Sequence, residues 1–547
     1  MVTLPAPDSK FSGAMTHHHE PTGLPDAPHP RLSGPRVILA LLVLVAVGTA
    51  LGASVAGVKV PLGSRDESAA QAAASGPTWF APYVDTTLTP ALAFQQPDVN
   101  PAHDAVLGFV VAAPDEACRP SWGGYHGLDD AATALDLDRR VAQLRGRGGS
   151  AIVSFGGQRN DELAVACEDE GRLTDAYWAV AKRYGTDTLD FDIEGDALRD
   201  TAANARRAKA VRSVQRRARE AGGRLAVWVT LPVTPEGMRG DALAVVRSFL
   251  AAGVDLAGVN VMAMNLGSSD APVRDMRDGI ERATNATRGQ VAAVYAQAGT
   301  DLGDAETWRK VGVTVMIGQN DVEGEQLSVA QARRLTRFFR TRGVGRVSMW
   351  SLNRDAQCGV TFPQVGVHSN LCSGVRQRPQ QFSRTFARLG GSARKAARAV
   401  TSDAVRPYAA TAGEDDPKRS PYPIWQPEQA YPADYKVVWR HAVYQARFYT
   451  QGDTPDAPAA NGAEPWRLVG PVLRTDRAPK LPRMVKGTYP AWSADRTFRR
   501  GDKVLYRGLP YEAKWYTRGD VPGEPLPGGV PQPWQARFTW PGEPGPL

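Results

Sequence analysis

Three carboxylates at alternate positions are the residues of this chain best placed to do chemistry: Asp190, Asp192 and Glu194, in the run Asp187-Thr188-Leu189-Asp190-Phe191-Asp192-Ile193-Glu194. In an extended strand alternate side chains share a face, so these three point together while Leu189, Phe191 and Ile193 point the other way. Acids crowded in this manner cannot all ionise freely, and at least one holds its proton to higher pH and becomes able to donate it. The span from Asp190 to Glu194 covers roughly 13 Å of strand, so one acid can lie deep while another reaches a mouth. The alternative is a solvated acidic edge, but Phe191 and Ile193 call for burial on the opposite face.

Such a strand needs neighbours to position it. From Trp79 onward, short apolar runs alternate with amphipathic stretches, the rhythm of a β/α fold. Strands are expected at Trp79–Val84, Ala105–Val111, Ser150–Phe155, Thr188–Ile193, Leu225–Thr230, Leu256–Met264, Gly312–Ile317 and Arg346–Ser351. Eight strands over roughly 300 residues predict a (β/α)8 TIM barrel spanning 77–388, with chemistry at the carboxyl ends of the strands. A doubly wound sheet is the alternative, and no Gly-rich phosphate turn follows the first strand.

The strand ends carry further motifs. The pattern D-x-x-D-x-D-x-E resembles the signature of glycoside hydrolase family 18, the chitinase family. Ser154-Phe155-Gly156-Gly157 resembles its S-x-G-G motif on the third strand, where glycines let backbone approach the site. Trp350, in Met349-Trp350-Ser351-Leu352, resembles the tryptophan that closes the eighth strand as a floor under the reacting sugar. Val261-Met262-Ala263-Met264-Asn265 falls where the family has M-x-Y-D, with Met264 in place of the tyrosine and Asn265 in place of the aspartate.

The resemblance implies a retaining chitinase acting on β-1,4-linked N-acetylglucosamine polymers. Glu194 would protonate the glycosidic oxygen, Asp192 would orient the N-acetyl group, and Asp190 would sit beneath as a charge partner. Ser154, Gly156, Gly157, Met262, Met264, Asn265 and Trp350 would form the substrate site. The family uses the substrate's own acetamido oxygen as nucleophile, so neither cofactor nor metal is expected. The histidines His103, His126 and His368 also lie far apart in sequence. The departures at Met264 and Asn265 leave open which hydroxyl holds the acetamido carbonyl. Two other readings remain: a chitin-binding, lectin-like member without turnover, against which the presence of Glu194 speaks, and an endo-β-N-acetylglucosaminidase.

After residue 388 the pattern changes to a linker over 389–420, followed by an internal repeat at 421–467 and 488–536 with a linker between. Trp425 and Trp492 lie 67 residues apart, and the same offset relates Tyr444 to Tyr511, Tyr449 to Tyr516 and Gly452 to Gly519. Units this small, rich in Trp, Tyr and Pro, are expected to be all-β modules whose aromatics divide between packing and an exposed face. Tyr511–Gly519 resembles the chitin-binding module of carbohydrate-binding families 5 and 12. By that resemblance Trp492, Trp515, Tyr516 and Trp534, and Trp425, Phe448, Tyr449 and Trp466 in the first repeat, bind chitin. Strand alternation would place Trp515 and Tyr516 on opposite faces.

The remaining features bound where the chain works. Its 547 residues exceed one ordinary core. The net charge of +8 is spread along the chain, which disfavours nucleic-acid binding. Residues 1–36 read as a disordered tail and 59–76 as a linker. Between them Val37–Val58 is apolar or small and free of charge, about 33 Å as a helix and long enough to cross a membrane. The expectation is a single-pass cell-membrane protein with the barrel outside, or a secreted one if the segment is cleaved, acting as a monomer. Four cysteines without C-x-x-C spacing point to disulfides rather than zinc. Cys358 with Cys372 would close a short loop and leave Cys118 with Cys167, although spacing alone leaves the connectivity open.

Overall fold

Eight parallel strand positions close on themselves in the computed structural model of the protein, which describes residues 78–359, 368–393, 402–408, 413–459, 461–524, 526, 530–540 and 542–544. The expected tail, membrane segment and first linker lie outside the described residues. Among the described residues no helix is long and apolar enough to cross a membrane.

The first strand position is split into β1 (Trp79–Phe80) and β2 (Tyr83–Asp85). Pro82 has no N–H to give a ladder, and the two halves bond to opposite neighbours, which closes the barrel. The chain continues through β3 (Ala105–Ala113), β4 (Glu116–Trp122), β5 (His126–Gly127), β6 (Ala151–Gly156), β7 (Thr188–Asp192), β8 (Ala226–Pro232) and β9 (Leu256–Met262). It then forms β10 (Val311–Met316), β11 (Gly318–Gln319), β12 (Gln326–Leu327) and β13 (Arg346–Trp350). Parallel pairing runs β2-β3-β6-β7-β8-β9-β10-β13-β1. All eight expected strands are present within a few residues of the expected ends. The register sets Ser154 and Trp228 on either side of Asp190, and Gly156 and Thr230 on either side of Asp192.

Two antiparallel additions escaped the sequence reading: β4–β5 on β3, and the β11–β12 hairpin. β4 is half exposed and contains Pro120, so it shows no clean alternation. Leu189, Phe191 and Ile193 are buried outside the barrel wall, where Phe191 stacks on Phe155 at 5.2 Å and meets the edge of Tyr177. The surrounding helices are signalled locally. Glu170–Tyr184 begins with the Asp169 side chain accepting from the Arg172 N–H and ends at Gly185 in the left-handed region, φ 55°. Both disulfides pair as Cys118–Cys167 and Cys358–Cys372.

The repeats fold as matching pairs of small sheets: the first four strands reappear 67 residues on, and the last, beginning at Trp466 and Trp534, 68 residues on. The first has β14 (Ala430–Tyr431), β15 (Lys436–Trp439), β16 (Ala442–Ala446), β17 (Thr450–Gln451) and β18 (Trp466–Pro471). The second has β19 (Thr497–Phe498), β20 (Lys503–Tyr506), β21 (Leu509–Ala513), β22 (Thr517–Arg518) and β23 (Trp534–Ala536). In each, a tryptophan Nε1 donates to an aspartate carbonyl: Trp466 to Asp453 at 2.9 Å and Trp534 to Asp520 at 2.8 Å. The unit edges differ from those expected. β18 runs past 467 to Pro471, and Leu481 packs into the second module's core. The Gly391 and Ala393 N–H groups bond to Thr78 and Asp104 of the barrel.

Barrel and modules belong to one compact unit. The first module is docked on the helix Leu137–Gly146, with Arg139 bonded to Asp136 and Asp476 while Lys436 and Tyr422 donate to Asp136 at 2.7 and 2.8 Å. Burial would raise the Asp136 carboxyl, but Lys436 and Arg139 outweigh it and hold it below its usual range.

Candidate active site

Asp190 is the deepest of the three acids and has no exposure. Its carboxylate accepts from Tyr83 Oη at 2.8 Å, Ser154 Oγ at 2.7 Å, Thr230 Oγ1 at 2.7 Å and the Arg346 guanidinium. Arg346, equally buried, lies about 5.6 Å from the ring centres of Trp79, Tyr83 and Trp228. That many donors satisfy both carboxylate oxygens inside the barrel. Asp187, the first acid of the run, lies at the other end of β7 and accepts from Ser150 Oγ at 2.9 Å.

Asp192 shares Asp190's face one register step higher. It is 4% exposed, and its Oδ1 has no hydrogen-bond partner in the protein. Burial first, then the charges of Glu194 and Asp190, push its carboxyl well above the usual range, with Arg346 opposing them. Glu194, two residues beyond, precedes the 3-10 turn Gly195–Leu198 and makes no side-chain capping bond to it. Burial and the facing charge of Asp321 push its carboxyl up to about 7. Side by side stand a deep acid bonded to four side chains, a buried acid with a free oxygen, and an outer acid pushed up to about 7.

Asp192 and Glu194 open into one cleft of about 820 Å³, lined also by Tyr83, Phe109, Thr230, Met262, Met264, Asn265 and Trp350. Trp350 stacks on Phe109 at 5.6 Å and forms part of the cleft wall. The expected substrate residues Ser154, Gly156 and Gly157 do not line it. Ser154 is consumed by Asp190. At Gly156, φ 98°, a Cβ would lie 2.1 Å from the Asp192 carbonyl oxygen, and at Gly157 it would meet the Phe109 ring. Gly156 lets β6 press against β7 and so sets the acids' height, while Gly157 leaves room for the Phe109 ring of β3. Asn265 lines the cleft but spends its amide on the β11–β12 turn, donating to Asp321 at 2.8 Å.

Several residues of the site escaped the sequence reading: Tyr83, Asp321, His368 and Tyr125 on the cleft wall, and Arg346 buried behind it on Asp190. Tyr125 is 78% exposed on the β4–β5 turn. That turn is held by Asn160 donating to the Gly123 carbonyl at 3.0 Å and by the Cys118–Cys167 bridge. Its aromatic character at a cleft rim was the available signal.

The barrel segment is similar to chitinases. It is 34% identical over 288 residues to a probable bifunctional chitinase/lysozyme of Escherichia coli, covering 52% of this chain and 31% of that one. It is 32% identical over 287 residues to endochitinase 11 of Metarhizium anisopliae, covering 52% and 53%. Active domain 2 of a Pyrococcus furiosus chitinase, solved as catalytic-site mutants, superposes with a TM-score of 0.50 at 25% identity, over 57% of this chain and 95% of that one. The barrel segment thus resembles chitinase catalytic domains in both sequence and fold. The match spans about half or less of the two curated relatives. Residues 491–535 match carbohydrate-binding module family 5/12.

The module aromatics fall into two groups. Trp466 and Trp534 are 5% and 3% exposed, Trp425 is 9% exposed, and Trp492 is half-buried against the second module's core. Trp425, Trp466 and Trp534 are core residues and present no free face to a polymer, which corrects the expectation for those three. Trp515 and Tyr516 lie in a bend between β21 and β22, so strand alternation does not govern them, and both are exposed, at 44% and 66%. Their counterparts Phe448 and Tyr449 are exposed to nearly the same degree, 45% and 66%.

Proposed function

We propose that the chain hydrolyses β-1,4-linked N-acetylglucosamine polymers by substrate-assisted retaining catalysis, with Glu194 as the general acid. The observation that carries the reading is the pair in one cleft: a buried Asp192 with an unpartnered oxygen beside an acid held up to about 7. Glu194 gives its proton to the glycosidic oxygen as that bond breaks. The sugar's own 2-acetamido oxygen attacks the anomeric carbon, a route that needs no second protein nucleophile. Asp192 accepts the acetamido N–H and stabilises the cationic ring that forms, while Asp190, neutralised by Arg346, stays in place beneath. Tyr83 Oη is committed to Asp190 and Met264 has no hydroxyl, so acetamide binding rests on Asp192.

The exposed ring of Tyr125 at the cleft rim, and the aromatic pairs of both modules, suit the faces of sugar rings along a polymer. The same reading takes the chain as a monomer anchored through Val37–Val58 with the barrel outside. Sequencing the mature N-terminus checks the anchor, since a soluble product beginning near Gly57 removes it. The deciding experiment incubates the exported region with a chitin oligosaccharide and measures both product and affinity. Binding without product would make the chain a lectin on a hydrolase scaffold.

A further inference from the structure

The turn between β11 and β12 carries Asp321 to the cleft, and the structure spends unusual effort to hold it there. Asn265 donates to the Asp321 carboxylate at 2.8 Å and accepts from the Asp321 and Val322 N–H groups at 2.9 and 3.4 Å. Asn320 accepts from the Asn265 N–H at 3.3 Å. Glu325, fully buried, accepts from the N–H groups of Leu266, Gly267 and Val273 at 2.9, 2.7 and 2.9 Å. The loop after β9 and the β11–β12 turn are thereby joined by seven hydrogen bonds, with Asp321 at their cleft end. Asn265 adopts the left-handed region, φ 50°, which asparagine tolerates better than most residues. An aspartate at 265 would lack the donor and set a second negative charge against Asp321, so asparagine there and aspartate at 321 belong together.

We propose that Asp321 is a positioning residue of the reaction centre: its carboxylate, clamped by Asn265 in the cleft that Glu194 also lines, keeps the proton on the acid until the substrate takes it. The other charged or titratable groups around Glu194 differ in place or sign. Asp192 and Asp190 lie on the strand that leads into Glu194, with Arg346 and Tyr83 bonded to Asp190. Asp85 and Arg159 lie on the cleft wall. His368 stands 3.5 Å from Asp321, and Arg354 also feels its charge. Among the groups beyond that strand, the charge that bears on Glu194 is that of Asp321.

The proposal rests on Glu194 as the acid, and two readouts separate the two claims. In Asp321→Asn, which keeps an oxygen to accept from Asn265, the alkaline limb of the kcat/KM profile on a soluble chitin oligosaccharide should move to lower pH by about half a unit or more. Asp321→Glu, keeping the charge, should restore most of that shift. A limb in Asp321→Asn that coincides with the unmutated protein's overturns the proposal. If Asp321→Asn loses its thermal transition, 1 M salt on the unmutated protein takes its place. The Asp321 side chain is 44% exposed, so screening should move the limb the same way, and an unmoved limb is again fatal. If the unmutated protein releases no product, the acid reading fails. The Glu194 carboxyl titration, followed by carbon-13 NMR and assigned by its absence in Glu194→Gln, then tests Asp321 in the same variants.

Discussion

The Arg346 guanidinium on β13 donates to the Asp190 carboxylate on β7, and neither side chain reaches solvent. They lie 156 residues apart in sequence and meet only because the barrel closes. The pair lets a negative charge sit at the floor of an acidic site without repelling Asp192 at full strength, since Arg346 lowers the Asp192 proton affinity that burial raises. Removing one partner of such a buried pair leaves an uncompensated charge. Arg346→Met should therefore cost about 3–5 kcal/mol in urea unfolding. A loss below about 1 kcal/mol would mean that Asp190 carries a proton and that no ion pair holds the floor.

Glu194→Gln keeps size and hydrogen-bonding capacity but has no proton to deliver. Turnover of a chitin oligosaccharide should fall by about 10²–10⁴-fold, the range general acid catalysis supplies. Affinity by calorimetry should survive, because Trp350, Phe109 and Met262 still shape the cleft. Asp192→Asn should also slow turnover. Near-full activity in Glu194→Gln would hand the acid role to another carboxyl.

Glu194 also leaves a signature in stability that needs no substrate. Its carboxyl is raised from 4.5 to about 7 in the folded protein. Between those values the folded state binds a proton that the unfolded chain has released, so this group's contribution to stability falls as pH rises through that window and is regained below it. Unfolding free energies measured from pH 4.5 to 7.5 should decline less steeply in Glu194→Gln than in the unmutated protein. Parallel curves would show that Glu194 titrates alike in both states.

The modules separate binding from folding. Trp515→Ala and Tyr516→Ala remove exposed rings and should weaken binding to insoluble chitin while leaving the melting temperature unchanged. Trp534→Ala removes a core ring bonded to Asp520 and should cost about 3–5 kcal/mol, the usual range for losing a buried tryptophan. Truncation after Ala478, which keeps Asp476 on Arg139, should impair action on solid chitin and spare soluble oligosaccharides. Truncation after Gly391 should in addition lower the melting temperature, because it strips Lys436 and Tyr422 from the buried Asp136. Equal loss on both substrates after Ala478 would make the second module part of the barrel's working structure.

The sequence by itself determined whatever follows from local periodicity. Apolar runs of strand length fixed the eight barrel strands, alternation put Asp190, Asp192 and Glu194 on one face, and the 67-residue offset gave two modules of one design. Each depends on residues a few positions apart, whose directions are set by backbone geometry. The tertiary structure alone decided which groups complete the site. Arg346 under Asp190, Asp321 facing Glu194 and Tyr125 at the rim arrive from distant strands and turns, and their meeting depends on barrel closure and loop clamps that leave no periodic trace. The same holds for the module aromatics. Tryptophan and tyrosine suit a core and a sugar face equally well, and only the packing buried Trp466 and Trp534 while a bend left Trp515 and Tyr516 in solvent.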